Sequence, residues 1–193
     1  MPKAYRTFAA IPALLTISVL GPAGSHLVAQ EQTRQPTVEA PAPALDDATI
    51  VAIFDNANTA DIEIGKLAAQ RGHSNEVRQF GAMLARDHDM VRQQGRDLAK
   101  KLGVTPTPPA ADQSARDQAA LIRRLSGLGG PEFDRAFLEH EVVFHRDVIA
   151  AIETTLLPAI TNEELRALVL KVAPAFQAHL DMAQNLRKRL ATK

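Results

Sequence analysis

Asp61, His88, Glu141, His145 and His179 each fall, at 100° per residue, in line with apolar neighbours three or four positions away. Asp61 sits between Ala57 and Ile64, with Glu63 to its side; His88 follows Leu84 by four and precedes Val91 by three, flanked by Asp87 and Asp89. Glu141 and His145 stand one above the other at i, i+4, with His140 on a different bearing, and His179 follows Phe176 by three. Carboxylates and neutral imidazoles converging from facing helices are the donor set of a non-thiolate transition-metal site, suited to Fe, Zn or Cu. The ligands would come from Asp61 or Glu63, His88, Glu141 or His145, and His179. A second reading uses the same residues as a polar core network of Asp–His and Glu–His pairs, because buried charges must pair or hold a cation. The paired Glu-x-x-His repeats of di-iron bundles are absent: Glu141 to His145 is one residue longer, and no Glu lies near His88.

Four long helices must position these groups. Apolar residues from Ile50 to Ala68 recur at three- and four-residue steps behind Asp46 or Asp47 as N-cap. Ser74 caps a second helix, whose stripe from Val77 to Leu102 ends at Gly103, and the short link between them predicts an antiparallel hairpin. Thr105 to Pro109 cannot be helical, so the chain crosses over there, and residues 113–125 form a shorter amphipathic segment. Pro131 opens a third long helix running to about Leu157. Pro158 ends it, Thr161-x-x-Glu164 reads as a capping box, and a fourth stripe runs from Leu165 to Leu190. Pro174, inside this last helix, should remove one backbone bond and bend it. The expected architecture is all-α, an antiparallel four-helix bundle of ferritin-like connectivity with a short extra helix in the crossover. Asp134, Arg135 and Arg146 read as surface or interhelix ion pairs.

Residues 1–29 carry Lys3 and Arg6, then an apolar run to Leu20, then small residues, the pattern of a secretory signal peptide. Residues 30–45 are polar and proline-containing and read as a flexible linker. The expected mature chain is therefore periplasmic or secreted, without a transmembrane anchor. With no Cys, disulfides, thiolate metal sites and cysteine nucleophiles are excluded. Lys+Arg 22 against Asp+Glu 22 lacks the basic excess of a nucleic-acid binder, and 4% aromatics are too few for stacking platforms. No Ser/His/Asp nucleophile arrangement, phosphate-cradling loop or dinucleotide fingerprint is present, which argues against hydrolase and nucleotide chemistry.

The segments Ala60–Asp89, Gly130–His145 and Pro174–Leu186 resemble the exported ferritin-like family labelled domain of unknown function 4142, whose members are often described as outer-membrane proteins. The matching motifs are Asp61 to Ala68, Asp87-His88, Phe133-Asp134 with His145, and Pro174 with His179-Leu180, Asp61 standing where that family usually has Glu. The resemblance implies a ferritin-like four-helix bundle behind a signal peptide and no particular activity. Two functions follow: transition-metal binding in metal handling or oxidative and envelope stress, or a metal-free structural module that binds a protein partner of the cell envelope. The sequence specifies no oligomeric state.

Overall fold

The computed structural model describes residues 45–110 and 112–191. The expected signal peptide and all but the last residue of the expected linker lie outside them. Within the described residues the chain is all-helical: α1 Asp47–Arg71, α2 Asn75–Leu102, α3 Ser114–Ser126, α4 Gly130–Ala151, a π-helical turn Ile152–Leu156, a single turn α5 Leu157–Ala159, and α6 Glu163–Ala191. Asp46 caps α1 by accepting from the Thr49 N–H, Ser74 caps α2 by accepting from Val77 N–H, and α2 ends on Gly103 at φ 66°, where a side chain would be strained.

α1 packs mainly on α2 and α4 mainly on α6, while α2 also meets α6. Both seams involving α2 are antiparallel. Across α1 and α2, Asp55 pairs with Arg96 and Asn58 with His88; across α2 and α6, Lys101 meets Glu164, Gln94 meets Lys171 and Asp87 meets His179. The first seam is unusually tight. A Cβ on Gly65 would lie 2.7 Å from the Gly81 carbonyl oxygen, and one on Gly81 would lie 2.6 Å from the Gly65 oxygen and 2.7 Å from the Ala68 Cβ. The two backbones thus touch one helical turn from Asp61 and two from His88, which sets how far apart those side chains begin.

Two loop anchors differ from the sequence expectation. Asp134, expected in a surface or interhelix ion pair, is 3% exposed and accepts from the backbone N–H groups of His73 and Ser74, at 2.7 and 2.8 Å. It anchors the α1–α2 turn from α4, because donors at a helix start favour a carboxylate. Thr161 does not cap α6. Its N–H and hydroxyl both donate to Asp47, and Asn162 takes the capping role, accepting from Glu164 and Leu165 N–H. Asp47 is free for this because Asp46 is the α1 cap.

The third long helix was expected to stay α-helical to Leu157. Instead its last turn widens into the π-helical Ile152–Leu156, directly ahead of Pro158, whose ring crowds the carbonyl four residues back. α6 continues through Pro174 on its exposed side, where water can serve the carbonyl left without a donor. Arg146 is exposed and pairs with its sequence neighbour Asp147, and Arg135 is also exposed.

The interior falls into two apolar clusters. One contains Ile64, Leu84, Phe133, Phe137 and Leu180, and the other Ile50, Phe54, Val169, Val172 and Phe176. On α1 and α6 the sequence passes from one to the other between Phe54 and Ile64 and between Phe176 and Leu180, the intervals that hold Asp61 and His179. The ionisable residues therefore occupy a layer between two dry ones. Replacing Gly81 by Ala should force α1 and α2 apart and cost about 1–3 kcal/mol, read as a lower denaturant midpoint with an unchanged slope.

Candidate metal centre

Asp61, His88, Glu141, His145 and His179 are all between 0% and 5% exposed. They come from α1, α2, α4 and α6, one or two from each. His88 Nε2 stands 2.6 Å from Asp61 Oδ2 and 3.2 Å from His179 Nδ1; His145 Nε2 stands 3.5 Å from the same Asp61 oxygen. His88, His145 and His179 each offer a ligand atom within 4.8 Å of the others, as do Asp61, Glu141 and His145. Glu63 does not join them. It is exposed on the flank of α1 and accepts from the Gln118 side chain of α3 at 3.2 Å, because two residues along a helix turn a side chain well away from Asp61.

The hydrogen bonds at the rim decide which ring nitrogens carry protons. The Asn58 amide NH2 donates to the Phe54 carbonyl at 2.7 Å, so its oxygen is the atom that faces His88 Nδ1 at 2.9 Å. An oxygen only accepts, so Nδ1 bears the hydrogen and a neutral His88 presents a bare lone pair at Nε2. The same logic applies twice more. His145 Nδ1 donates to the Glu141 backbone carbonyl at 3.1 Å, and His179 Nε2 donates to the Asp87 carboxylate at 3.2 Å. Three imidazoles are thus held with protons outward and lone pairs inward, at Nε2 of His88, Nε2 of His145 and Nδ1 of His179.

Most of the inward-facing acceptors lack donors, while His88 Nε2 and His179 Nδ1 face each other at 3.2 Å. Both oxygens of Asp61, both of Glu141, and His145 Nε2 are buried without a hydrogen-bond partner. The 2.6 Å approach of His88 to Asp61 is close but not aligned as an N–H···O bond, which leaves two electron-rich atoms facing each other. Orphaned acceptors in a dry layer are expensive, and a shared cation relieves them together. Aromatic packing fixes the rings: Phe176 meets His88 edge-on at 5.2 Å, and His145 and His179 cross at 89°.

Electrostatics follow from burial. Desolvation pushes His145 down to about 4, and repulsion from any charge on His88 and His179 adds to it against the pull of Asp61. Desolvation likewise lowers His179, and brings His140, half-buried beside Phe144, to about 4. Burial alone would raise the Asp61 carboxyl, but the close approach of His88, with His145 beside it, outweighs that and holds Asp61 well below the usual carboxylate range. Glu141 moves the other way, raised by desolvation and then by the Asp61 charge beside it. The pattern suits a cation site: neutral imidazoles, one ionised carboxylate, and a second carboxyl in reserve.

Two contributors were missed in the residue reading. Asn58 lies one turn before Asp61 on the buried face, and an amide there was a readable signal; Asp87 was seen only as a flank of His88, although it orients His179 from the opposite helix.

Fold and site together define an all-helical protein with a buried histidine–carboxylate centre of nitrogen and oxygen donors. The chain belongs to the family described as domain of unknown function DUF4142, whose model matches residues 32–186. No curated protein matches the sequence significantly. Among solved structures the chain is similar to a DUF305 fragment from Deinococcus radiodurans, at 16% identity over 74% of this chain and 95% of that one with TM-score 0.64. It is also similar to CopM in its Cu(II)-bound form, at 13% identity over 75% of this chain and 98% of that one with TM-score 0.58. At these identities the likeness is one of fold. No helix among the described residues is long and apolar enough to cross a membrane.

Stability should register the buried charges with opposite signs. His140 and His145 cannot take a proton in the fold until about pH 4, whereas the unfolded chain takes one at each near 6.5; unfolding free energy should therefore fall as pH drops from about 6.5 to 4. Glu141, raised in the fold, loses the unfolded chain a proton first, so its penalty grows as pH climbs above about 4.5. Glu141→Gln should accordingly stabilise the metal-free protein at pH 7, with the gain shrinking in acid. A thermal-melt series from pH 4 to 8 checks both slopes, and an unchanged midpoint for the Gln variant at pH 7 would contradict the second.

Proposed function

We propose that the chain is an exported metal-binding protein whose centre holds one late first-row transition ion, copper or zinc, through His88, His145, His179 and Asp61. The observation that supports it is the outward anchoring of three imidazole protons by Asn58, the Glu141 carbonyl and Asp87, which aims three lone pairs at one buried point. Donors around a tetrahedral ion at 2.0–2.1 Å stand about 3.3 Å apart; separations of 3.2 and 3.5 Å within this cluster match that spacing, and the 2.6 Å between His88 and Asp61 would open to admit the ion. Neutral imidazole with a single carboxylate favours copper or zinc over iron, which in helix bundles draws on more carboxylates. Asp61 and an ionised Glu141 together would neutralise a divalent ion, so the dry layer need bear no net charge.

The helix order supports a four-helix bundle of ferritin-like connectivity, α1–α2 and α4–α6 forming the hairpins and α3 lying in the crossover. Residues 1–29 serve as the signal peptide, 30–45 as a linker and 46–191 as the bundle domain, which places the centre in the periplasm or outside the cell. A closed site of this kind suits metal handling or protection against metal stress better than turnover. The Cu(II)-bound state of CopM, a protein of similar fold, agrees with this reading.

The metal-free alternative has its own support: one proton shared among His88, Asp61 and His179 would also relieve the facing lone pairs, and 2.6 Å is the length of a charge-assisted contact. Elemental analysis of residues 30–193, purified without chelator or affinity metal and then reloaded with Cu(II) or Zn(II), separates the two. One equivalent of ion is expected in the wild type and none in a folded His88→Ala/His179→Ala variant. Asn58→Ala, which frees the His88 proton to move inward, should weaken affinity about 10–100-fold without removing a ligand. Absence of bound metal after reloading would leave the polar network as the function of these residues.

A further inference from the structure

Apart from Met1 the chain has three methionines, Met83, Met90 and Met182, and Met83 and Met182 lie at the α2–α6 seam that reaches the centre through His179. Core packing accounts for part of Met83, which lies half-buried against the cluster that holds Phe80 and Leu84, but not for the other two. Met90 is 53% exposed and Met182 40% exposed, whereas the clusters around the polar layer are filled chiefly by Leu, Ile, Val and Phe. Met83 and Met182 line the same groove, about 670 Å³ in volume, with Phe80 and Leu186 at its floor and Asp181 and Asn185 among its walls.

The position of this groove matters more than its size. Met182 lies one turn past His179 on α6, and Met83 lies one turn before Asp87 on α2. Asp87 is the residue that holds His179, and with a side chain 24% exposed it stands where the buried layer meets solvent. Among the four proposed ligands His179 is the most exposed, at 5%. An ion leaving the groove toward the interior would therefore meet the Asp87–His179 pair first.

Two thioethers are soft, uncharged donors that select Cu(I) over harder divalent ions, while the imidazoles behind them take copper in either state. We infer that Met83 and Met182 form a capture site for a soft monovalent ion, Cu(I) in chemical class, that loads the buried centre past Asp87 and His179. Two sulfur ligands bind weakly enough to release the ion inward, and transfer needs no change of oxidation state. This rests on the buried centre being a metal site, and the two parts are read separately below.

The test uses Ag(I) as a non-redox stand-in for Cu(I), added to metal-free protein with 13C-methyl-labelled methionine. The methyl resonances of Met83 and Met182 should shift on the first equivalent in His88→Ala/His179→Ala, where the ion cannot pass inward, and only beyond the first equivalent in the wild type, while Met90 stays in place. Met83→Leu/Met182→Leu, a volume-conserving change, should abolish that binding and slow Cu(I) loading of the centre about tenfold or more, with final stoichiometry and Zn(II) loading unchanged. Unshifted Met83 and Met182 methyls, or Cu(I) loading as fast in the Leu variant as in wild type, would overturn the inference and leave the buried centre standing. Failure of the centre itself shows differently: no Cu(II) or Zn(II) retained by wild type, whatever the methyls do.

Discussion

The structure turns on the placing of three protons. Asn58, the Glu141 carbonyl and Asp87 each accept from one nitrogen of a histidine ring, and each ring is thereby left with its lone pair directed into a layer that water does not reach. A neutral imidazole is indifferent to which nitrogen bears hydrogen until a neighbour decides it, and here three neighbours decide in the same sense. The apolar clusters above and below raise the stakes, since a low local dielectric strengthens a satisfied polar group and penalises an orphaned one.

Holding the rings at these separations is the task of the helix contacts. Gly65 and Gly81 let α1 and α2 touch through their backbones, and this closeness lets the short Asp61 side chain reach His88, where a longer Glu would have tolerated a wider gap. Asp134 anchors the α1–α2 turn to α4, and Asp47 anchors the loop before α6 to the start of α1. Each of these acids joins elements that are distant in sequence but carry different members of the cluster. Their charge is used for alignment rather than for chemistry.

The molecule also sorts its donors by softness and depth. Nitrogen and oxygen occupy the buried layer, while the sulfurs of Met83 and Met182 line the groove at the α2–α6 seam, with Asp87 and His179 between them. In a chain without cysteine, methionine is the only soft donor available, and it is absent from the centre. The similar fold of a Cu(II)-bound protein at 13% identity shows that one helical arrangement accommodates very different sequences, so the chemistry of each chain rests on its own side chains.

Much was legible from periodicity. Residue spacing located four long helices and the crossover segment, and the apolar stripes pointed Asp61, His88, Glu141, His145 and His179 inward, while Glu63, on the side of Asp61 but kept as an alternative ligand, proved exposed, because a helix repeats its faces every 3.6 residues whatever it packs against. The errors came where a residue's partner lies far along the chain. Asp134 looked like a surface ion-pair residue because its backbone donors are some 60 residues away, and Thr161 looked like a cap because Asp47 is 114 residues away. The proton positions share that origin: Asn58 belongs to α1 and His88 to α2, Asp87 to α2 and His179 to α6. Composition and spacing determined which residue types could meet in the interior. Only the tertiary structure, by bringing an acceptor from another helix to the outer nitrogens of His88 and His179, decided that their lone pairs meet at one point.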